Sequence, residues 1–392
     1  MLKEYLTLKK EGYAVKVVYA FWTDWAFYKD EELFASGEID KKDFILAGGS
    51  PHRNKTTFFF SRIFFALWAM LRRLHLPIPE EWTFCRPAFF LERGAKKIRA
   101  DVYIGHNMGA LPAIVKAAKK YNARCVFDAE DFHRGEDKDV STPHSVLARS
   151  MEDRYMPGCD QATAASPLIA ATYSRLFPAI RWTVVNNVFS LRYLQPPEDQ
   201  PDYREDLSVF WFSQLVGPDR GLELFVEAMN SLPACRITLH LVGDCPAAFK
   251  QKLMAASRFP QQLFFIDPVS PDEIFGMAAT FDIGLASELP DSANRNICLT
   301  NKIFTYLLAG NCLLASDTDA QRQFLASYPE IGLLYRHNDA TSLAGRLQQL
   351  YDDRSFLRQC RKSALELATT TFNWEKESAT FLDIVRQLTP GK

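Results

Sequence analysis

The stretch that decides the fold is VFWFSQLVGPDRGLELFVEAM, residues 209–229. It begins with an apolar, aromatic run typical of a buried parallel strand, passes through a loop that holds Gly217, and ends in an amphipathic helix. A strand, a glycine-bearing loop and a helix start form an anion site, because unpaired backbone N–H groups and the helix dipole both face the loop. Arg220 lies in that loop, where its guanidinium can bind a phosphate. The alternative is an ordinary strand-to-helix turn with a solvated arginine.

Strand-like and helix-like segments alternate from this stretch to the C-terminus. The predicted strands are 208–213, 236–243, 262–267, 281–286, 311–316 and 331–335. The predicted helices are 221–230, 247–257, 271–278, 300–309, 319–326, 340–351 and 354–390, the last broken near Phe372. Alternation of this kind predicts an α/β domain with a doubly wound parallel sheet.

The first half of the chain shows the same alternation, with predicted strands at 14–21, 101–105, 124–128, 161–165 and 182–186. The run QPPEDQPDY after it has three prolines and three acids, which is typical of a linker. We therefore predict a first domain over 1–195, a linker over 196–206 and a second domain over 207–372. A C-terminal helix over 373–392 is expected to pack back toward the first domain. Two domains of this kind leave a central cleft, which is a common place for a ligand.

The composition is that of a globular protein, with 47% hydrophobic and 24% charged residues. Residues 1–195 hold 28 Lys and Arg against 22 Asp and Glu, so this half is the better suited to an anionic surface or substrate. Eight scattered cysteines without a CxxC pair indicate reduced thiols in a cytoplasmic protein. The polar start predicts no signal peptide, and no apolar run reaches the roughly 18 residues that a spanning helix needs.

Polar residues follow two predicted strands of the first domain. His106 follows the strand 101–105, and the strand 124–128 leads into AEDFHRGE. Because ligands of open α/β sheets bind at the carboxyl ends of the strands, these side chains are candidates for a site. The candidates are His106, Asp128, Glu130, Asp131 and His133. The alternative for a histidine at a strand end is a purely structural hydrogen bond.

Residues 45–99 combine ten Lys and Arg with many aromatic residues and only three acids. Within them, TFFFSRIFFALWAMLRR predicts a helix with Arg62 and Arg73 on one face and apolar residues over most of the rest. Such a helix can lie in a membrane interface, with its arginines toward lipid phosphates, through residues 58–74. The alternative is a helix packed in the core of the first domain. The region is too apolar to predict a nucleic-acid groove.

Taken together, these segments resemble the GT-B glycosyltransferases, most closely glycosyltransferase family 4. WFSQ…RGLE at the opening stretch and NKIFTYLLAG at 301–310 read as a bacterial polysaccharide-type variant of the family's motifs. The resemblance implies two Rossmann-like domains that face a central cleft, with the nucleotide sugar bound by the second domain. It also implies that His106 faces the acceptor, with His133 and Arg134 on the acceptor side.

The resemblance also carries over to a set of donor-binding positions. These are Ser213, Gln214, Gly217, Arg220, Gly243, Pro268, Val269, Asn301, Lys302 and Thr305. The first of the family's two diphosphate-binding cations is replaced here by Gln214, and the second is kept as Arg220. Two family glutamates correspond to Ile297 and Thr305, so both carboxylates are gone, and Lys302 is a further candidate to neutralise a diphosphate.

The start of the chain departs from the resembling fold, because the family's central first strand and its glycine-rich turn have no counterpart before residue 1. We therefore expect the first domain to lack its first strand, as a truncated sequence or a wrongly chosen start codon would cause. A sheet without its central strand exposes unpaired backbone groups on both neighbouring strands.

The resulting prediction is an enzyme that moves a sugar from a nucleoside diphosphate sugar to a glycan or lipid-linked acceptor in cell-surface polysaccharide synthesis. The resemblance implies retention of configuration, without a cofactor or metal; if the enzyme inverts, Asp128, Glu130 or Asp131 is the candidate base. The two D-x-D matches are discounted as metal sites, since such matches are common by chance. The alternatives are a catalytically inactive scaffold that binds a nucleotide or glycan, and a sugar-nucleotide epimerase.

Overall fold

The computed structural model of the protein describes residues 1–194 and 206–389, and they divide into two compact units. The first unit runs from Met1 to Val185 and includes the described residues from Ser378 onward, and the second is Asn186–Glu377. Residues 186–194 thus group with the second unit. The predicted linker lies outside the described residues, apart from Asp206.

The first unit contains seven helices and six strands among its described residues before residue 186. They are α1 Leu2–Lys10, β1 Val17–Ala20, α2 Asp24–Ser36, β2 Phe44–Ala47, α3 Lys55–Arg73, α4 Ala88–Ala95, β3 Val102–His106, α5 Leu111–Tyr121, β4 Arg124–Ala129, α6 Pro143–Tyr155, β5 Gln161–Ala164, α7 Pro167–Leu176 and β6 Arg181–Val184. The alternation confirms the predicted α/β class. α2, β2 and α4 were not predicted.

The strands of the first unit form two separate parallel sheets. One has the order β1-β2 and the other has the order β3-β4-β5-β6. Within the described residues β1 pairs only with β2, and β3 pairs only with β4, so each keeps one edge without a strand partner.

The second unit contains one six-stranded sheet and most of the remaining helices. Its elements are β7 Leu207–Leu215, α8 Leu222–Asn230, β8 Ile237–Asp244, α9 Ala247–Ala256, β9 Leu263–Ile266, α10 Glu273–Ala279, β10 Ile283–Ala286, α11 Ala293–Ile297, α12 Asn301–Leu308, β11 Cys312–Ser316, α13 Asp319–Ser327, β12 Gly332–Tyr335, α14 Ala340–Asp352 and α15 Arg354–Thr370. A last helix, α16 Trp374–Leu388, runs from the second unit into the first.

All strands of this sheet are parallel, in the order β12-β11-β10-β7-β8-β9. The chain goes outward from β7 to β8 and β9 and then returns to place β10 on the other side of β7. The switch point of the sheet therefore lies between β7 and β10, where open α/β sheets bind ligands at the carboxyl ends of their strands. β7 is the central strand, and its residues from Leu207 to Trp211 are buried. Residues 209–229 thus begin in the central strand of this sheet.

The predicted break near Phe372 is confirmed. Asn373 donates its side-chain amide to the carbonyls of Ala368 and Thr369 at 2.8 and 3.0 Å, which satisfies the end of α15. Its side-chain oxygen accepts the N–H of Lys376 at 3.0 Å and so caps the start of α16. One asparagine therefore ends one helix and starts the next.

Among the described residues, no helix is long and apolar enough to span a bilayer.

Candidate functional site

A polar row crosses three neighbouring strands of the first unit. His106, Asp128 and Thr163 are register partners on β3, β4 and β5, so their side chains lie on the same face of the sheet. His106 Nδ1 lies 3.0 Å from Asp128 Oδ2, and the Thr163 hydroxyl donates to Asp128 Oδ1 at 2.5 Å. Register alone therefore brings together two of the predicted catalytic residues.

The other ring nitrogen of His106 is occupied by a residue that the sequence did not single out. Its Nε2 lies 2.8 Å from Glu4 Oε2, on α1. Glu130 Oε1 approaches Nδ1 at 3.6 Å, and Asn107 donates to the other oxygen of Glu130 at 3.2 Å. The imidazole thus lies among three carboxylates.

These contacts decide the charge of the ring. Burial disfavours the charged imidazolium, but Glu4, Asp128 and Glu130 outweigh it and raise the pKa of His106 well above its ordinary value. Burial likewise opposes the charged form of Glu4, yet His106 and the N-terminal amine lower the pKa of Glu4 to about 2. The hydrogen bond with His106 lowers the pKa of Glu130 as well. These carboxylates therefore favour the charged form of His106, in which both ring nitrogens are hydrogen-bond donors.

A small cavity of about 10 Å³ lies against this cluster. It is lined by Glu4, His106, Asp128 and Thr163 on the polar side, and by apolar side chains that include Phe381 and Ile384 of α16. A volume of this size holds roughly one water molecule. The cluster is also the one group of possible metal ligands among the described residues, but the two ring nitrogens of His106 already contact different carboxylates.

The two predicted acceptor-side residues lie in a different, buried network. Arg134 donates to Glu152, which is fully buried and also accepts the Tyr173 hydroxyl at 2.6 Å. His133 Nδ1 contacts Glu136. Burial lowers the pKa of His133, but the hydrogen bond and charge of Glu136, together with the charge of Asp131, raise it above its ordinary value. The described polar side-chain contacts of His133 and Arg134 are thus with Glu136, Glu152 and Asp153, and their acceptor-side role stays a prediction.

In the second unit, the loop between β7 and α8 is held in place by neighbouring segments. Asp219 and Gly221 both have left-handed backbones, with φ of 59° and 73°, and Gly221 caps α8. The Ser287 hydroxyl donates to the Arg220 carbonyl at 2.6 Å, and Arg295 Nη1 donates to the Asp219 carbonyl at 3.2 Å. The backbone of the predicted anion loop is thus fixed from the loop that follows β10 and from α11.

Gly243 lets the end of β8 approach the end of β7 closely. Its φ is +143°, and a Cβ at this position would lie 2.1 Å from the Ser213 carbonyl oxygen. No side chain fits there, so the two strand ends meet backbone to backbone. Of the other predicted donor-binding residues near them, Gln214 and Pro268 are exposed, Val269 is half-buried and Gly217 is buried.

Lys302 forms a buried ion pair. Its Nζ lies 2.6 Å from Glu288 Oε1 and 5.3 Å from the centre of the Trp211 ring. Burial opposes ionisation of Glu288, but the charge and hydrogen bond of Lys302, together with Arg220 and Arg295, hold its pKa below the ordinary value. In this structure the charge of Lys302 is therefore balanced by Glu288.

Arg220 differs from Lys302, because no hydrogen bond or ion pair of its guanidinium occurs within the described residues. It lies close enough to Glu288 to lower the pKa of that carboxyl. Arg295, in contrast, contacts both oxygens of Asp291 at 3.1 and 3.0 Å. Near the end of β10, Lys302 is paired with Glu288 and Arg295 with Asp291. Arg220 is the third cation there, and it is therefore available to an anion.

The two positions that lack the family's glutamates take up ordinary helix roles. Thr305 is buried and donates its hydroxyl to the Asn301 carbonyl at 3.1 Å within α12, and Ile297 ends α11. Asn301 is exposed at the start of α12. The buried carboxylate of this region is Glu288, at the end of β10.

The D-x-D acids are held by protein groups. Asp317 contacts His337 Nδ1 at 2.5 Å, and Asp319 contacts Arg322 at 2.9 Å. Asp137 accepts from the hydroxyls of Thr142 and Ser145 at 2.6 and 2.7 Å, and Asp139 accepts from Ser141 at 2.6 Å. Each acid has a structural partner in place.

No protein-family model matches the sequence. A curated relative, the lipopolysaccharide 1,2-N-acetylglucosaminetransferase of Salmonella typhimurium, is 22% identical over 258 residues, which are 61% of this chain and 66% of that protein. The match therefore spans just under two thirds of the relative.

Two of the similar solved structures match over nearly the whole chain. HepE of Anabaena, solved in complex with UDP, has a TM-score of 0.70 at 14% identity, over 98% of this chain and 96% of that one. A glycosyltransferase of Rickettsia africae has a TM-score of 0.67 at 13% identity, over 100% and 94%. These likenesses show that the fold is GT-B, with two Rossmann-like units.

Proposed function

We propose that the protein transfers a sugar from a nucleoside diphosphate sugar to a hydroxyl of a glycan or lipid-linked acceptor, in cell-surface polysaccharide synthesis. The observation that carries this proposal is Arg220, a cation without a protein partner among the described residues, at the start of α8 and at the switch point of the sheet. The Salmonella relative acts on lipopolysaccharide, and HepE binds UDP, which supports the same chemistry.

We propose a retaining, metal-independent reaction. The leaving diphosphate gains negative charge in the transition state, and Arg220 together with the first N–H groups of α8 would stabilise it. Because its carboxylate neighbours favour the charged form, His106 would donate a hydrogen bond or neutralise charge in place of acting as a base. If the reaction inverts instead, Asp128, Glu130 or Asp131 would be the base; Asp128 is engaged by His106 and Thr163, and Glu130 by His106 and Asn107.

We also propose that the protein is cytoplasmic and peripheral on the inner face of the plasma membrane, in contact through residues 58–74. The support is that Arg62 and Arg73 are exposed on α3, as are most of the apolar side chains between them. The core-packed alternative for this helix is not supported, since Ser61 is its one buried residue.

The test is a thermal-shift and calorimetric screen against UDP, GDP, ADP, CMP and dTDP. One nucleotide should raise the melting temperature, and Arg220→Ala should weaken its binding by about 1.5–3 kcal/mol, the scale of a charge-assisted hydrogen bond. Arg258→Ala is the matched control, since Arg258 contacts Asn230 on another part of the unit. Unchanged affinity in Arg220→Ala would remove Arg220 from the site.

The inactive scaffold stays a second candidate because Ile297 and Thr305 stand where the family has glutamates, and because Lys302 and His106 are both saturated by carboxylates. Tight nucleotide binding without release of product from any nucleotide sugar would favour the scaffold. Product release from one donor would favour the transferase.

A further inference from the structure

A groove opens on one face of the six-stranded sheet, toward the amino ends of β7, β8 and β9. Its volume is about 500 Å³, within the range of roughly 300–1,000 Å³ that sites for small molecules occupy. All of its lining residues belong to the second unit. Gly243, at the carboxyl end of β8, is three residues from His240 of the groove, which is a rise of roughly 10 Å along the strand. The groove is therefore separate from the proposed nucleotide site at the carboxyl edge.

The groove exists because only part of this sheet face is covered. Register places Phe210, His240 and Phe264 opposite one another on β7, β8 and β9, so their rings stand on the same face. The Phe281 ring, just after α10, stacks on Phe210 at 4.9 Å and reaches His240 at 4.6 Å. Within the described part of the chain this cover ends there, since Phe210 is fully buried and Phe264 on the edge strand is 42% exposed.

His240 and Phe264 form an aromatic pair in the groove. Their rings are nearly parallel, with centres 4.5 Å apart and 6° between the planes. One face of the Phe264 ring lies on His240, so the exposed part of Phe264 is its other face and its edge. Burial lowers the pKa of His240 to about 4, so the imidazole is neutral at neutral pH. The groove thus offers an uncharged aromatic surface to a ligand.

Polar groups line the rest of the groove. The Thr238 hydroxyl lies 3.2 Å from His240 Nε2, and Thr280 contributes a second hydroxyl. Arg236 Nε lies 2.6 Å from Asp206 Oδ1, and the Arg236 side chain is 58% exposed. This pair places a guanidinium donor beside a carboxylate acceptor without adding net charge.

These groups fit a neutral sugar better than a nucleotide or a protein surface. A sugar ring has a face of C–H groups that packs on an aromatic ring, and hydroxyls at its edge that both donate and accept hydrogen bonds. A nucleotide would also stack, but its phosphates would meet Asp206 and the carboxyl end of α10, which carries negative partial charge. An apolar protein surface would bury the ion pair and the hydroxyls without new partners, which is costly.

We infer that this groove is a second carbohydrate-binding site, which binds a short segment of a neutral glycan. A sugar ring would stack on Phe264, and its hydroxyls would bond to Arg236 and Asp206. This binding requires neither a nucleotide nor a transfer reaction, so it goes beyond the proposed function. In an enzyme that transfers sugar, the groove would hold a part of the glycan away from the reacting end.

The test is saturation-transfer NMR and calorimetry of the full chain with maltohexaose, cellohexaose and chitohexaose. At least one of them should bind, and excess UDP should not displace it. Phe264→Ala should weaken this binding at least roughly tenfold, because the stacking surface is lost. Arg236→Ala should weaken it roughly tenfold, the effect of one charge-assisted hydrogen bond. Phe264→Trp should keep the binding, because the larger ring still offers a stacking face.

Met254→Ala is the matched control, since Met254 is an exposed apolar side chain on α9 of the same unit. It should bind the oligosaccharide as the wild type does. Full binding by Phe264→Ala would place the glycan elsewhere and overturn the groove as its site. Failure of all three oligosaccharides to bind the wild type would overturn it as well. Tighter binding of a hyaluronan hexasaccharide than of the neutral probes would overturn the choice of a neutral glycan.

Two further measurements separate this site from other uses of the groove. Phe264→Ala should bind nucleotides as the wild type does, and a joint loss of nucleotide and glycan binding, with neither recovered in Phe264→Trp, would overturn a separate site. In analytical ultracentrifugation Phe264→Ala should not change the oligomeric state; a dimer that it converts to a monomer would make the groove an interface between two copies. A wild type that binds a glycan but no nucleotide would count against the proposed function and leave the groove standing.

Discussion

His106 and Glu4 form a buried ion pair in which His106 Nε2 lies 2.8 Å from Glu4 Oε2, although 102 positions separate them in the chain. Asp128 holds the opposite nitrogen at 3.0 Å, so the imidazole is fixed from both sides. A histidine held in this way keeps its orientation and its charge. It can stabilise an anionic or polar group placed beside it, but Glu4 must be displaced before Nε2 can contact a substrate.

Glu4→Gln should lower the pKa of His106 and destabilise the fold. The pKa of Glu4 is lowered to about 2, so its contribution to stability is present above its unfolded value and is lost as the pH falls toward 2. The raised pKa of His106 adds stability that is present below its unfolded value and is lost as the pH rises through the folded value. Near pH 5.5 the variant should be less stable by roughly 3 kcal/mol.

The measurement for Glu4→Gln is urea unfolding between pH 3 and 9, with the His106 ring followed by NMR. Glu11→Gln serves as control, since the exposed pair of Glu11 with Arg386 should contribute less than about 1 kcal/mol. A His106 pKa that does not change in Glu4→Gln would contradict the ion pair.

Arg134→Ala should act on stability and not on the transfer reaction. Removing Arg134 leaves the carboxylate of Glu152 buried without its cation, which typically costs about 3–5 kcal/mol. Denaturant unfolding checks this, and Arg124→Ala, which breaks an exposed pair with Asp160, should change stability by less than about 1 kcal/mol. A stable Arg134→Ala protein with impaired transfer would restore Arg134 to the acceptor side.

Arg295→Ala should weaken nucleotide binding although Arg295 was not among the predicted donor residues. Arg295 ties the Asp219 carbonyl to Asp291, so its loss frees the loop that presents Arg220 and the start of α8. We expect roughly a tenfold loss of affinity, the effect of one charge-assisted hydrogen bond. Arg295→Lys should recover part of it, whereas a side chain without this positioning role would show no difference between Lys and Ala.

Gly243→Ala should destabilise the second unit by roughly 2–4 kcal/mol, because the added Cβ would lie 2.1 Å from the Ser213 carbonyl oxygen at a φ of +143°. Thermal unfolding checks this. Gly345→Ala is the opposite case, since Gly345 lies inside α14 with nothing near the new methyl group, and it should stabilise by about 0.5–1 kcal/mol. If Gly243→Ala and Gly345→Ala changed the stability equally, the ends of β7 and β8 would be able to move apart to make room for the methyl group.

Long periodic segments were the part of the fold that could be predicted from sequence. β7 with α8, and the break at Phe372, follow from local patterns of apolar residues and caps that the structure bears out. α2 and β2 were not predicted, because β2 is only four residues long and the alternation around it is weak. The sequence signal for the end of α2 was Gly37, since a glycine often ends a helix in the left-handed conformation, and Gly37 has a φ of 77°.

The order of residues along the chain was enough to predict an α/β protein with alternating strands and helices, the glycine-bearing loop between β7 and α8, and a basic aromatic helix at 57–73. Each of these depends on neighbours within a few turns or a single strand, and such local preferences act before the chain is folded. Only the tertiary structure decided which charges are matched: Lys302 by Glu288, His106 by Glu4 and Asp128, and Arg134 by Glu152, while Arg220 stays without a partner among the described residues. Charge pairing depends on distances between elements far apart in sequence, and no local periodicity encodes those distances.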